Sequence, residues 1–258
     1  MNILRFEIDN QHCSVDLARG VSLGIPLQFN GPQPNFFAAP SASAAPVETN
    51  GFTGDTRQGG SCNVSHCHLV PHCNGTHTEC VGHVVDDAVA ITEQLRVSLL
   101  PATLVTIAPR HNVIDAALIK MNLQHHPVRG MHTAFIIRTL PNTREKLAHR
   151  YDLVPPAHLA EEAATLLVEA GAEHLLVDLP SLDPMHDQGR LAAHHAFWGL
   201  PAGSRRLSDA KRPRATVTEM IYVPEQVKDG YYLLDLQIPA FMSDAAPSRP
   251  VIYPIEMK

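Results

Sequence analysis

Between Cys62 and His83 the chain carries four cysteines and five histidines in 22 residues, CNVSHCHLVPHCNGTHTECVGH. Thiolates and imidazoles are donors that Zn²⁺ accepts readily. No CxxC pair occurs in the stretch, so the template of a zinc ribbon or finger is not met, and an open site is expected rather than a closed four-ligand one. Asn74-Gly75 is a turn signal able to fold Cys73 back toward His77. His77 and Glu79 stand two residues apart and project from the same side of an extended segment. Cys73, His77 and Glu79 can then converge on one cation, with Zn²⁺ expected, and Mn²⁺ or Fe²⁺ if the thiolate does not bind. The competing reading of Cys73 is a buried free thiol, and that of His83 a residue starting a helix. His66, His68 and His72 are expected to be solvated or bonded to backbone and are placed outside the site. Cys62, Cys67 and Cys80 are expected to pack or to line the pocket.

These donors need elements to hold them. NILRFEI and HCSVDL, separated by an Asp-Asn turn, read as an opening β-hairpin. Residues 21–61, with GPQPN and AAPSASAAP, show no sustained period and read as a long loop or arm engaged in function or assembly. Beyond the Cys/His cluster, strand-like TLVTIAP, HTAFIIRTL, HLLVDLP, ATVTEMIYVP and YYLLDLQIPAF are interspersed with helical NVIDAALIKMNL, AHLAEEAATLLVEAGA and GRLAAHHAFWGL, which predicts an α/β or α+β domain. Pro155 and Pro156 precede the second of these helices and Gly171 can close it. No composition shift marks a boundary, so residues 1–258 are expected to form one domain.

The chain has 258 residues, 26 acidic against 20 basic, for a net charge of −6, and 45% apolar residues. That composition supports a sizeable core and excludes disorder over most of the length. The scattered Lys and Arg give no footing for a nucleic acid or an anionic membrane. Arg5, Glu7 and Asp9 interrupt any N-terminal secretory signal, and no apolar run reaches the ~20 residues of a membrane span. Five cysteines, an odd number, suit reduced thiols in the cytoplasm.

CNGTHTECVGH resembles the HxGTHxDxPxH signature of the cyclase-family metal hydrolases, a group that includes bacterial kynurenine formamidases and isatin hydrolases. DLPSLD at 178–183 is similar to the family's DTPSxD, AHHAFWG at 193–199 to its HH-containing helix, and SDAAPSRPVIY at 243–253 to its DASPxR ending. The resemblance implies a layered β/β/α fold of the swivelling type, with a mixed sheet curling around a metal pocket. It places Cys73 at the family's first metal-binding His, His77 at the second, Glu79 at the often bridging Asp and His83 at the signature's last His. It further implies a metal-binding His at 194 or 195 and a metal-binding Glu at 219, separated here by the intervening SRRLSDAKRPR. Successive helical residues point about 100° apart, so only one of His194 and His195 can face an ion, and His194 is favoured. Cys at 73, Glu at 79 and Val81 in place of the family's Pro depart from the pattern.

The expected function is metal-dependent hydrolysis of a C–N amide bond, in an arylformamide or a cyclic amide. Cys73, His77 and Glu79 would hold the ion, His194 or His195 and Glu219 would complete its shell or hold a second one, and His83 or a carboxylate such as Glu219 would move the proton. Two alternatives stand beside it: a thiol amidase using Cys73 as nucleophile, and a non-catalytic protein in which zinc braces an oligomer. Phe29, Phe36 and Phe37 in the loop suggest a homodimer or homotetramer. Phe197 and Trp198 could wall an aromatic substrate, or simply pack in the core.

Overall fold

A computed structural model describes residues 2–257. The chain opens with strands β1 (Ile3–Ile8) and β2 (Gln11–Asp16), paired antiparallel as the alternation predicts. Asp9 and Asn10 take φ of 49° and 61°, which a two-residue turn between right-twisted strands requires. Glu256–Met257, from the far end of the chain, adds a third strand to this small sheet.

After β3 (Val21–Ser22), the stretch predicted as loop has no long element, yet it is fixed in place. Side-chain amides do this where apolar periodicity cannot: Gln33 Nε2 donates to the Ala42 carbonyl (3.0 Å), and Asn30 donates to that of Ala44. Strand β4 (Ser43–Pro46) pairs antiparallel with β5 (Ser65–His68), and Glu48–Thr49 pairs with Phe52–Thr53, so residues 43–68 form a narrow ribbon. Phe36 is not available for assembly through such an arm, because it is buried against Tyr151 and Met220, whereas Phe37 is exposed.

The remaining strands are β6 (His77–Glu79), β7 (Leu99–Ile107), β8 (Ala134–Thr139), β9 (His174–Val177), β10 (Thr216–Glu219), β11 (Gly230–Asp235), β12 (Ala245–Pro247) and β13 (Val251–Pro254). With β3 they form one curled nine-stranded sheet, in the order β12-β6-β10-β9-β8-β7-β11-β13-β3. Strands β10, β9, β8 and β7 run parallel, and the flanking strands pair antiparallel. The central strands β8 and β9 are buried at every position, as expected of strands covered on both faces.

One face of the sheet, with Val105, Phe135, Ile137, Leu175, Val177 and Val217, packs on helices α1 (Ala116–His125), α2 (Glu161–Ala170) and α3 (Ala192–Trp198). The alternate residues Leu104, Ala134, Ile136 and Leu176 meet Leu23, Ile221 and Leu234 inside the curl. The helices begin and end where the sequence signals it. Asp115 accepts from Leu118 N (2.9 Å) at the start of α1, and Gly171 closes α2 with φ 104°, a left-handed cap that glycine adopts without strain. The result is the predicted mixed α/β architecture.

Candidate metal centre

Register places the first carboxylates. In the ladder, Glu219 lies directly opposite His77, and Val217 and Ala245 flank Glu79 from either side. Because side chains alternate along a strand, His77, Glu79 and Glu219 share the face that Val217 turns toward the helices. The opposite face is closed by a hydrogen bond between the Thr78 and Thr218 hydroxyls (2.8 Å). Glu219 ends a parallel strand, the edge of an α/β sheet where ligands commonly bind. Helix α3 lowers His194 onto this edge from above.

Hydrogen bonds fix which ring nitrogens face inward. His77 Nδ1 is 3.0 Å from the Gly75 carbonyl, which can only accept. Nδ1 therefore carries the proton, and the Nε2 lone pair faces Glu219 Oε2 at 3.4 Å and Glu79 Oε2 at 4.0 Å. His194 Nδ1 is 2.6 Å from Asp183 Oδ2, and its Nε2 lies 3.0 Å from Glu79 Oε1 and 3.4 Å from Glu219 Oε1. A carboxylate or carbonyl behind each imidazole is the arrangement that orients metal-binding histidines. Asp183 also accepts from the backbone N–H of Ala193 (2.7 Å), which ties it to the start of α3.

The inward atoms are short of partners. His77 Nε2, Glu79 Oε1, His194 Nε2 and His72 Nε2 are all shut from solvent without a directed hydrogen bond. Glu79 and Glu219 are buried, and among the described residues the ion-pair partners of Glu79, Glu219, Asp183 and Asp244 within 4.0 Å are histidines, with no Lys or Arg. Glu219 Oε1 also accepts from the backbone N–H of Leu182 (2.8 Å). Burial opposes the charge on Glu219, yet contact with His194 and His77 holds its carboxyl down at about 2. Burial likewise opposes a charge on His194, but Asp183, Glu219 and Glu79 outweigh it and raise its pKa well above the usual value. Buried carboxylates facing inward lone pairs are costly unless a cation lies among them. The donor set of imidazoles and carboxylates therefore fits a divalent cation.

Three groups of donor atoms converge within 4.8 Å: His77, Glu79 and Glu219; Glu79, His83 and His194; and His72, His83 and Asp244. Most residues singled out in the sequence thus meet, and three expectations need correction. His195 turns away: its Nδ1 binds the Pro201 carbonyl at 3.0 Å, because the helical step that aims His194 inward carries its neighbour off the site. Cys73 is buried but belongs to none of the convergent groups among the described residues. Burial first, and then the Glu219 charge, push its thiol up, the reverse of what activates a nucleophilic cysteine. His72, placed outside the site by the sequence reading, is inside it: Nε2 is 2.9 Å from Asp244 Oδ2 and 3.6 Å from Glu79 Oε2.

Asp244 was missed as well. The signal was available, since it stands in the SDAAPSRPVIY segment and immediately precedes the strand that pairs with His77–Glu79. Cys62 and Cys67 are exposed rather than lining a pocket, whereas Cys80 is fully buried. Phe197 and Trp198 are also fully buried. Trp198 stacks on His194 with ring centroids 5.4 Å apart and donates to the Ala215 carbonyl, so it packs the core and does not line a cleft. Asp178 of the same DLPSLD stretch bonds Lys146 Nζ (2.7 Å) and Thr139, apart from the donor cluster.

The family model Cyclase, described as "Putative cyclase", matches residues 15–184. The chain belongs to the Cyclase family. A kynurenine formamidase of Bacillus anthracis is 28% identical over 201 residues, 77% of this chain and 83% of that protein. Another from Bacillus mycoides (strain KBAB4) is 26% identical over 197 residues, 76% and 82% of the two chains. Among solved structures, an isatin hydrolase bound to thioisatinate, a product analogue, superposes with a TM-score of 0.65 at 13% identity, covering 92% of each chain. A predicted metal-dependent hydrolase from Bacillus stearothermophilus gives 0.58 at 15%, covering 91% of this chain and 97% of that one. These Cyclase-family and structural likenesses agree with the curled mixed sheet described above. Among the described residues, no helix is long and apolar enough to cross a membrane.

Proposed function

We propose that this Cyclase-family protein is a metal-dependent amidohydrolase acting on a non-peptide C–N bond, in an arylformamide or a cyclic amide. The observation that carries the reading is the set of buried atoms His77 Nε2, His194 Nε2 and Glu79 Oε1, which lack directed hydrogen bonds and converge with the Glu219 carboxylate. The relatives named kynurenine formamidase support the bond type. His77, Glu79, His194 and Glu219 would hold the ion, with Zn²⁺ favoured and Mn²⁺ or Fe²⁺ compatible. When bound, a divalent cation supplies a polarising charge for the amide carbonyl and makes water acidic enough to ionise near neutral pH.

The chain's own residues do the rest. Asp183 and the Gly75 carbonyl keep His194 and His77 in the tautomer that offers Nε2 inward. Phe197, Trp198 and the Val217 face close off the dry side of the cluster, where electrostatic interactions are strongest. His83 is the partly open member: its side chain is 29% exposed, and its Nδ1 lies 3.7 Å from Glu79 Oε2 and 3.8 Å from Asp244 Oδ2. It, or a carboxylate such as Glu219, would pass a proton to the departing nitrogen. A homo-oligomeric assembly and a cytoplasmic location belong to the same proposal.

The test is hydrolysis of N-formylkynurenine, isatin and simple cyclic imides before and after chelation. Activity is expected to vanish with the metal and to return with Zn²⁺ or Mn²⁺, and Cys73→Ser is expected to keep its metal. Turnover that survives complete metal removal but is lost in Cys73→Ser would replace this reading with the thiol amidase.

A further inference from the structure

The strand that carries Glu219 is interrupted immediately after it. We propose that Thr76 is a positioning residue for Glu219, its hydroxyl acting through the Met220 carbonyl. The inference rests on the reading of the inner cluster as a metal centre.

Side chains alternate along a strand, so Val217, Glu219 and Ile221 would all point to the helix side if β10 ran on unbroken. Val217 does pack there, yet Ile221 lies in the apolar cluster inside the curl. One residue has been inserted into the alternation, and it is Met220, whose φ of 52° falls in the left-handed region. A bulky residue keeps that conformation only where its surroundings over-determine it. Met220 N donates to the Leu179 carbonyl (2.8 Å), and the Met220 carbonyl accepts from Thr76 Oγ1 (2.5 Å). A bulge of this kind ends strand pairing and re-aims the side chains beside it. Here it lets Glu219 close β10 with its carboxylate toward His77 and His194 while the chain turns into the curl.

The Thr76 hydroxyl has one proton, and its partners decide where that proton goes. A carbonyl only accepts, so Thr76 donates to Met220, and its oxygen accepts from the backbone N–H of Ile25 (2.9 Å). Thr76 is buried, and its own carbonyl accepts from Ser248 N (3.0 Å). Segments around residues 25, 76, 220 and 248 therefore meet at one side chain. That side chain follows Gly75, whose carbonyl orients His77, and precedes His77 itself. A valine of the same shape leaves a buried N–H and a buried carbonyl unpaired, and it frees the Met220 peptide to rotate Glu219 off the cluster. Thr103 is a buried hydroxyl with no such task. It donates to the Met131 carbonyl (2.9 Å) from β7, three strands away from β10.

The experiment sets affinity against stability. Full-length protein stripped by chelation is titrated with Zn²⁺ in competition with a chromophoric chelator, and the metal-free forms are melted. Thr76→Val is expected to bind Zn²⁺ about tenfold more weakly, at the lower end of the effect of partners behind a ligand because it acts through a neighbouring peptide. Thr76→Ser keeps the hydroxyl and is expected to bind as the wild type does. Thr103→Val is expected to lower the melting temperature of the metal-free protein and leave the affinity unchanged. Thr76→Ala loses the same hydroxyl without setting a methyl against the Ile25 amide, and it reads the same quantity if the valine variant does not fold. Variants lacking the hydroxyl that bind as tightly as the wild type, a serine variant as weak as the valine one, or an equal loss in Thr103→Val overturns the positioning role and leaves the metal centre standing. A wild-type chain that binds no Zn²⁺ overturns both.

Discussion

The two halves of the Cys/His-rich stretch have almost the same composition and opposite fates. Residues 62–68 offer Cys62, His66, Cys67 and His68, and all four are exposed, the last three on strand β5 of the outer ribbon. Residues 72–83 offer His72, His77, Glu79 and His83, which enter donor clusters, beside Cys73 and Cys80, which are buried outside them. The density of ligand-type side chains does not separate them. What separates them is the neighbouring strand. Strand β5 pairs with β4, Ser-Ala-Ala-Pro, which brings no carboxylate, whereas β6 lies between β10, bearing Glu219, and β12, preceded by Asp244. A metal centre needs converging charge from several segments, and only the second half is folded against it.

The contrast can be broken or sharpened by substitution. His77→Ala removes a fully buried donor and should strip most of the metal, lowering amide hydrolysis by roughly a thousandfold, or ~4 kcal/mol of transition-state stabilisation. Metal content by elemental analysis, paired with turnover, checks this, and undiminished metal would erase the distinction between the halves. Asp183→Asn leaves every donor atom in place but weakens the hold on the His194 ring, so metal affinity should fall by about 10–100-fold, as a competition titration with a chromophoric chelator would show. The smallest effect is expected in the outer half. His66→Ala and Cys67→Ser should leave metal content unchanged and stability within about 0.5 kcal/mol, read as superimposable thermal transitions. A lost ion there would mean that the ribbon folds onto the site in solution.

Much of the scaffold was legible because its signals are local. The Asp-Asn turn specifies the first hairpin, Gly171 ends α2, and uninterrupted apolar runs mark β8 and β9 as buried. His77 and Glu79 were legible as a pair because an extended strand has a period of two. Cys73 illustrates the reverse. Motif position put it at the metal, but one residue along the chain changes the direction of a side chain, and here His72 faces Glu79 while the neighbouring thiol lies buried outside every donor group. On the helix the 100° step between neighbours had left only one of His194 and His195 able to face an ion, and His194, the favoured one, is the ring that does.

The sequence by itself determined the family, the elements and the supply of donors, all of which depend on residue type and short spacing. The tertiary structure decided which donors are used. Glu219 and His194 lie well over a hundred residues from His77, and Asp244 farther still, and they reach it only because β10 and β12 flank β6 and α3 packs over that edge. Spacing along a chain carries direction within one element. The pairing of distant strands sets the distances on which coordination depends.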